Sequence, residues 1–165
     1  MDTWPKEECN SKAINSCLRY PNNIQIALLA YKILEGIRFL EINRWTHRSI
    51  KCSAILLSYN NVQLTNVKKC YPGKHSNENN KDTKALSYVL ATTIDKGLEI
   101  RDVLSVQSLE RWTDEAIDFV SKTAFASSNE LRDHSFLTSY QPLETSLIQL
   151  IEFAKILASQ PYSSA

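Results

Sequence analysis

The longest apolar-periodic stretch runs from Ile24 to Glu41, and its spacing predicts a helix. Two sets of apolar positions, Ile24, Ala27, Leu28, Tyr31, Leu34 and Ile26, Leu29, Ala30, Ile33, Ile37, Leu40, together cover most of its circumference. A helix of that kind is largely buried. The polar strip left over is narrow, Gln25, Lys32, Glu35, Arg38 and Glu41, with Lys32, Glu35 and Arg38 at the i,i+3 spacing of weak surface pairs. Asn22-Asn23 supplies a cap ahead of it.

After an irregular stretch, the short apolar runs Ala54–Leu57 and Val62–Thr65, joined by Ser58-Tyr59-Asn60-Asn61, predict a small β-hairpin. Two strands alone are marginal, so they must lie on the helices. Residues 68–81, KKCYPGKHSNENNK, hold almost no core-forming side chain and read as a loop. Helical patterns then predict helices at 82–95, 99–108, 113–122, 128–134 and 142–158, the last with Pro142 in its first turn. In that last helix Leu143, Leu147, Leu150, Ile151, Ala154 and Leu157 share one face. The expected fold is mainly α with one small β-hairpin, and no internal repeat is present.

Length and composition narrow the chemistry. A chain of 165 residues fits one domain. Only three glycines occur, Gly36, Gly73 and Gly97, where average usage of about 7% gives roughly a dozen. None of the glycine-rich phosphate loops can be written from them. Lys plus Arg is 19 and Asp plus Glu 18, with no clustered basic footprint, so no nucleic-acid partner is expected. Met1 to Asn10 is polar, and the longest apolar run is only Ile26 to Tyr31. The expectation is a soluble, intracellular protein with no membrane partner. Cys9, Cys17, Cys52 and Cys70 lack the C-x-x-C spacing of a zinc site, and free thiols are expected.

The dense polar cluster Arg44, His47, Arg48, Ser49 and Lys51 stands between the buried helix and the hairpin, where a rigid scaffold often places functional loops. From there order and spacing carry a resemblance. Residues 33–67, ILEGIRFLEINRWTHRSIKCSAILLSYNNVQLTNV, resemble the large lobe of eukaryotic protein kinases, from the helix before the catalytic loop through the metal-binding turn. The H-R-D-x-K-x-x-N-I-L-L pattern falls on His47-Arg48-Ser49-Ile50-Lys51-Cys52-Ser53-Ala54-Ile55-Leu56-Leu57, and the D-F-G position on Asn66-Val67-Lys68. The D-x-W-S-x-G pattern meets Asp82 to Ser87, keeping only Asp82 and Leu86. Residues 112–137 are similar to the family's late-helix pattern at Glu115, Ala116, Asp118, Phe119, Glu130, Leu131, His134, Phe136 and Leu137.

The resemblance implies a protein-kinase-like C-terminal lobe over 24–137, lacking the N-terminal lobe, preceded by a polar segment, 1–23, and followed by an extra helix and tail, 138–165. It gives structural roles to His47 in the core, to Arg48 in organising the catalytic loop, and to Asp82, which accepts hydrogen bonds from that loop's backbone. It also places Leu56 where an adenine ring would rest, and Lys51 beside a transferring phosphate. His134, with Asp133 and Glu130, falls on the late-helix pattern, so its role there is structural and no metal site is expected.

The departures remove the chemistry. Phosphoryl transfer uses an Asp as base, and an Asp and an Asn to hold magnesium. Here those positions carry Ser49, Asn66 and Ala54. A hydroxyl does not serve as the base, worth about 10²–10⁴ in rate, and Ala54 ligates nothing. The buried glutamate–arginine pair that the family places after its activation segment has neither member here. Losing one would cost roughly 3–5 kcal/mol, whereas losing both can be neutral. The implied function is a pseudokinase fragment that binds another protein, with no cofactor. The alternatives are a divergent Ser/Thr kinase using ATP and magnesium with its N-terminal lobe elsewhere, or a nucleotide-binding module without transfer.

Overall fold

The Ile24–Glu41 periodicity becomes helix α1, Asn23–Ile42, in the computed structural model of the chain, which describes residues 22–58, 61–67, 70–72, 80–94 and 112–140. A capping box starts it. The Asn22 side chain accepts from the Gln25 N–H at 2.8 Å, and the Gln25 side chain accepts from the Asn22 N–H at 3.0 Å. Ile26 through Ala30 form one unbroken buried run, followed by Ile33, Leu34, Ile37 and Leu40. Most of the two predicted apolar sets is buried, with Ile24 and Tyr31 partly so. The helix ends at Asn43, whose Nδ2 donates to the Phe39 carbonyl at 2.7 Å, and Arg44 then turns the chain with φ 60°.

Strand β1, Trp45–Thr46, leads into an extended loop and a single 3₁₀ turn, Cys52–Ala54. Strands β2, Ile55–Ser58, and β3, Asn61–Leu64, form the predicted hairpin, with Ile55 opposite Leu64 and Leu57 opposite Val62. Ile55 and Val62 join the core beside α1. Strand β3 packs closely on α1 at Gly36, where a Cβ would stand 3.1 Å from the Leu64 Cδ1 side-chain tip. Strand β4, Tyr71–Pro72, pairs antiparallel with β1, and this second sheet has no counterpart in the sequence pattern. Two residues per strand are too few for a period to register.

Helix α2, Asn80–Ile94, begins two residues before the predicted start, so Asp82 lies within its first turn. Its Leu86, Val89 and Leu90 pack into the same core as α1. Helix α3, Asp114–Lys122, is capped by Thr113, and α4, Ser128–Arg132, by a Ser127–Glu130 capping box. The helix predicted at 128–134 stops at Arg132, because His134 caps a new one, α5, Ser135–Thr138. Phe119 of α3 stacks on His134 and Phe136 at centroid distances of 5.3 and 5.5 Å, closing α3 onto α5.

The described protein is therefore mainly helical with two small antiparallel sheets. Trp112 packs against the core, whereas Trp45 is 44% exposed. Cys52 and Cys70 are free thiols. Among the described residues no helix is long and apolar enough to cross a membrane. The helices predicted at 99–108 and 142–158, most of the 68–81 loop, and Cys9 and Cys17 lie outside the described residues.

Candidate functional site

The site is organised by one carboxylate. Asp82, 3% exposed in the first turn of α2, accepts from the His47 N–H on Oδ2 and from the Arg48 N–H on Oδ1, each at 2.8 Å. Arg48 has φ 58°, a left-handed conformation that costs an ordinary residue about 1–2 kcal/mol. Successive amides turned to one side make a small anion site. Here the anion is the protein's own side chain, brought from a helix more than thirty residues away.

His47, 1% exposed, fastens the loop on its other side. Its Nδ1 accepts from the Ser49 N–H at 3.3 Å, and its Nε2 is 2.7 Å from the Thr65 carbonyl. A main-chain N–H only donates and a carbonyl only accepts, so Nδ1 is the acceptor and Nε2 the donor of this ring. Thr65 in turn donates its N–H to the Ala54 carbonyl at 2.8 Å, while the Ala54 N–H bonds the Lys51 carbonyl at 2.8 Å. His47, Arg48, Ser49, Ala54 and Asp82 are thus linked through shared bonds, with Asn66 next to Thr65 and left-handed at φ 62°. Asn takes that conformation more readily than most residues.

The side chains of two sequence-predicted residues stand apart from these links. Lys51 is exposed and contributes its carbonyl, and half-buried Leu56 sits on the hairpin opposite Gln63. The chemistry available at the centre is small. Both ring nitrogens of His47 are engaged by main-chain groups, so the imidazole does not activate the exposed Ser49 hydroxyl. Ala54 is fully buried and offers only backbone. Magnesium prefers carboxylate and water oxygens in octahedral array. The matched positions supply a hydroxyl and a neutral amide, and both oxygens of Asp82 already hold amides. The residues present do not fit the ion.

Four participants escape sequence reading. Tyr71 lies opposite Thr46 in the β1–β4 pair, and the Arg48 guanidinium stands 5.0 Å over its ring. Thr65 acts through its main chain and carries no side-chain signal. Glu41, read as part of a surface strip, is half-buried and accepts from the hydroxyl of buried Ser128. Burial pushes its carboxyl above the ordinary value, the charge of Asp82 adds to that, and the Ser128 bond opposes it. Burial likewise pushes the Cys70 thiol up, with Asp82 again contributing.

The second polar group, around His134, is a set of caps. Its Nδ1 accepts from the Phe136 N–H at 3.2 Å, and its Nε2 donates to Asp118 at 2.9 Å. Asp118 also takes Lys122 Nζ at 2.7 Å, and these two bonds, Lys122 first, hold its carboxyl below the ordinary range. Glu130 is engaged by Ser127, which holds it down as well. Among the described residues no group of three or more His, Cys, Asp or Glu side chains is arranged to hold a metal. No protein-family model matches the chain, and no curated protein matches it.

Proposed function

We propose that this chain is a catalytically inactive, protein-kinase-like C-terminal lobe that acts by binding another protein. The observation that carries this reading is the state of the Asp82-centred loop. Its backbone is held by long-range bonds from both sides, as a catalytic loop's would be. Its chemically decisive positions nevertheless hold Ser49, Ala54 and Asn66, and its one buried carboxylate is occupied by amides. Such an arrangement keeps a scaffold and leaves out the base and the metal ligands that phosphoryl transfer needs.

A binding role draws support from the surface next to the loop. Ile42 and Trp45 stand 74% and 44% exposed where α1 runs into the β1–β4 sheet, large apolar side chains that a bound partner would cover. Thermal unfolding of the full chain with and without ATP and magnesium tests the reading. A bound ligand at 100 times its Kd would add about 2.7 kcal/mol. The expected result is a cooperative transition that nucleotide does not move. A clear rise in Tm would overturn it in favour of a nucleotide-binding lobe.

A further inference from the structure

The chain is near neutral in total and uneven in detail. From Ile42 to Asn77 it carries six Lys and Arg and no Asp or Glu, while the other residues hold 13 Lys and Arg against all 18 acids. Where that stretch leaves α1, Arg44, Arg48 and Lys51 are exposed. Arg44 and Lys51 form no ion pair with another described residue. The carboxyls bordering the stretch are engaged elsewhere. Glu41 accepts from Ser128, buried Asp82 holds two amides, and Glu35 is held by Arg38 at 3.3 Å.

Large apolar side chains are exposed at the same end of α1. Phe39, Ile42 and Trp45 follow at every third position and are 67%, 74% and 44% exposed. Phe39 and Ile42 share a face of the helix, and Arg44 stands between Ile42 and Trp45 in the chain. On strand β4 the exposed Tyr71 ring lies 5.0 Å under the Arg48 guanidinium. Aliphatic and aromatic tips interleaved with cations, without acids, suit the interface of a bilayer. There apolar tips enter the boundary between headgroups and acyl chains, Trp and Tyr settle at headgroup depth, and Lys and Arg meet anionic lipid. A nucleic acid would engage the cations and the rings and leave Phe39 and Ile42 in water. Lying on a bilayer takes no spanning helix, so the expectation of no membrane partner, drawn from hydropathy, does not extend to it.

We infer that the end of α1 and strand β1 form a peripheral docking face for an anionic lipid surface, with Phe39, Ile42 and Trp45 entering the interface and Arg44 and Lys51 meeting acidic headgroups. This goes beyond the protein-binding reading and does not rest on it. Co-sedimentation of the full chain with vesicles of phosphatidylcholine, with and without phosphatidylserine as about one-third of the lipid, tests it. The expected result is binding to the mixed vesicles only, weakened about tenfold or more by high salt. The Arg44→Glu, Lys51→Glu double variant and Ile42→Asp should each weaken binding by about tenfold or more while keeping the parent's cooperative unfolding. In the unaltered chain the Trp fluorescence should shift to the blue on the mixed vesicles, and Trp45→Phe should remove the shift. No binding to the mixed vesicles at low salt, equal binding to both kinds of vesicle, or a blue shift that survives Trp45→Phe would each overturn the proposal. So would binding that a single-stranded oligothymidylate displaces and that a folded Ile42→Asp variant retains, which would assign the cations to nucleic acid.

Discussion

Two regions of this molecule bury a histidine in the same local geometry and put it to different use. His47 and His134 both accept on Nδ1 the N–H of the residue two positions later, and both donate from Nε2. Around His134 the Asp118 carboxylate, sixteen residues away, is 52% exposed and still holds Lys122, and the helices beside it carry their own caps at Thr113 and Ser127. Around His47 the partners come from far along the chain. The Thr65 carbonyl is eighteen residues away, and Asp82 is thirty-five. Residues 43–51 contain no helix and no ladder beyond the two-residue β1, and the His47 and Arg48 amides depend on distant Asp82 for their acceptor. One region is assembled from short-range capping rules. The other exists only once the rest of the chain has folded around it.

The sharpest way to break that distinction is to remove Asp82. Asp82→Ala leaves two main-chain N–H groups without their acceptor, one of them fully buried, at about 1–3 kcal/mol each. Urea unfolding should show a loss of about 2–5 kcal/mol. Asp82→Asn should recover less than half of it, because its amide turns a donor toward one of the two N–H groups. A loss below about 1 kcal/mol for the alanine variant would mean that the loop is held by packing rather than by this carboxylate.

The two histidines can then be compared directly. His47→Leu strands the Thr65 carbonyl and the Ser49 N–H, and an unsatisfied buried group costs about 1–3 kcal/mol. His134→Leu loses an N-cap worth about 1 kcal/mol, while Asp118 keeps Lys122 and water. His47→Leu should therefore be the costlier by about 1–2 kcal/mol in the same unfolding measurement. Equal costs would erase the difference between the regions.

What the sequence makes legible follows the same line. Helix α1, the hairpin, α3 and the start of α4 could be read because their determinants are near neighbours: apolar spacing and, ahead of α1, the Asn22-Asn23 cap. The break of 128–134 into two helices was missed, since a histidine cap does not resemble the usual Ser, Thr, Asp or Asn. The β1–β4 sheet was missed because two residues carry no period. In the site, the polar cluster marks His47, Arg48 and Ser49, and the resemblance adds Ala54, Asn66 and Asp82. Their partners Thr65 and Tyr71, and Ser128 beside Glu41, are not marked, since a carbonyl, an exposed ring and a small hydroxyl leave no pattern. Glu41 lies on the polar strip of α1 together with Glu35 and Arg38, and the strip meets α4 at Ser128, Asn129 and Arg132, which helical spacing alone does not tell from a strip facing water.

Glu41 and Asp118 offer the finest test, since each belongs to one region and their carboxyls are displaced in opposite directions. Glu41, beside Asp82 and Ser128, is raised above the ordinary value of 4.5 by burial. The folded state therefore holds that proton more tightly than the unfolded chain does, and stability falls as pH rises from about 4.5 through the folded value. At neutral pH the ionised carboxylate is a cost. Glu41→Gln keeps an oxygen for the Ser128 hydroxyl and removes the charge, so it should raise stability at pH 7 by less than about 1 kcal/mol after solvent screening, a gain that disappears below pH 4.5. Asp118 is lowered from 3.8 by Lys122 and His134, so its contribution is present above that value and is lost as pH falls through the folded one. Asp118→Asn still accepts from His134 and should cost a few tenths of a kcal/mol at pH 7, roughly the worth of an exposed i,i+4 pair, shrinking further in high salt. Unfolding free energies at pH 4 and pH 7, at low and high salt, separate the two. A salt-sensitive gain at Asp118, or a loss at Glu41 that persists at neutral pH, would show that the buried and the exposed carboxylate do not divide along the boundary drawn between the two histidines.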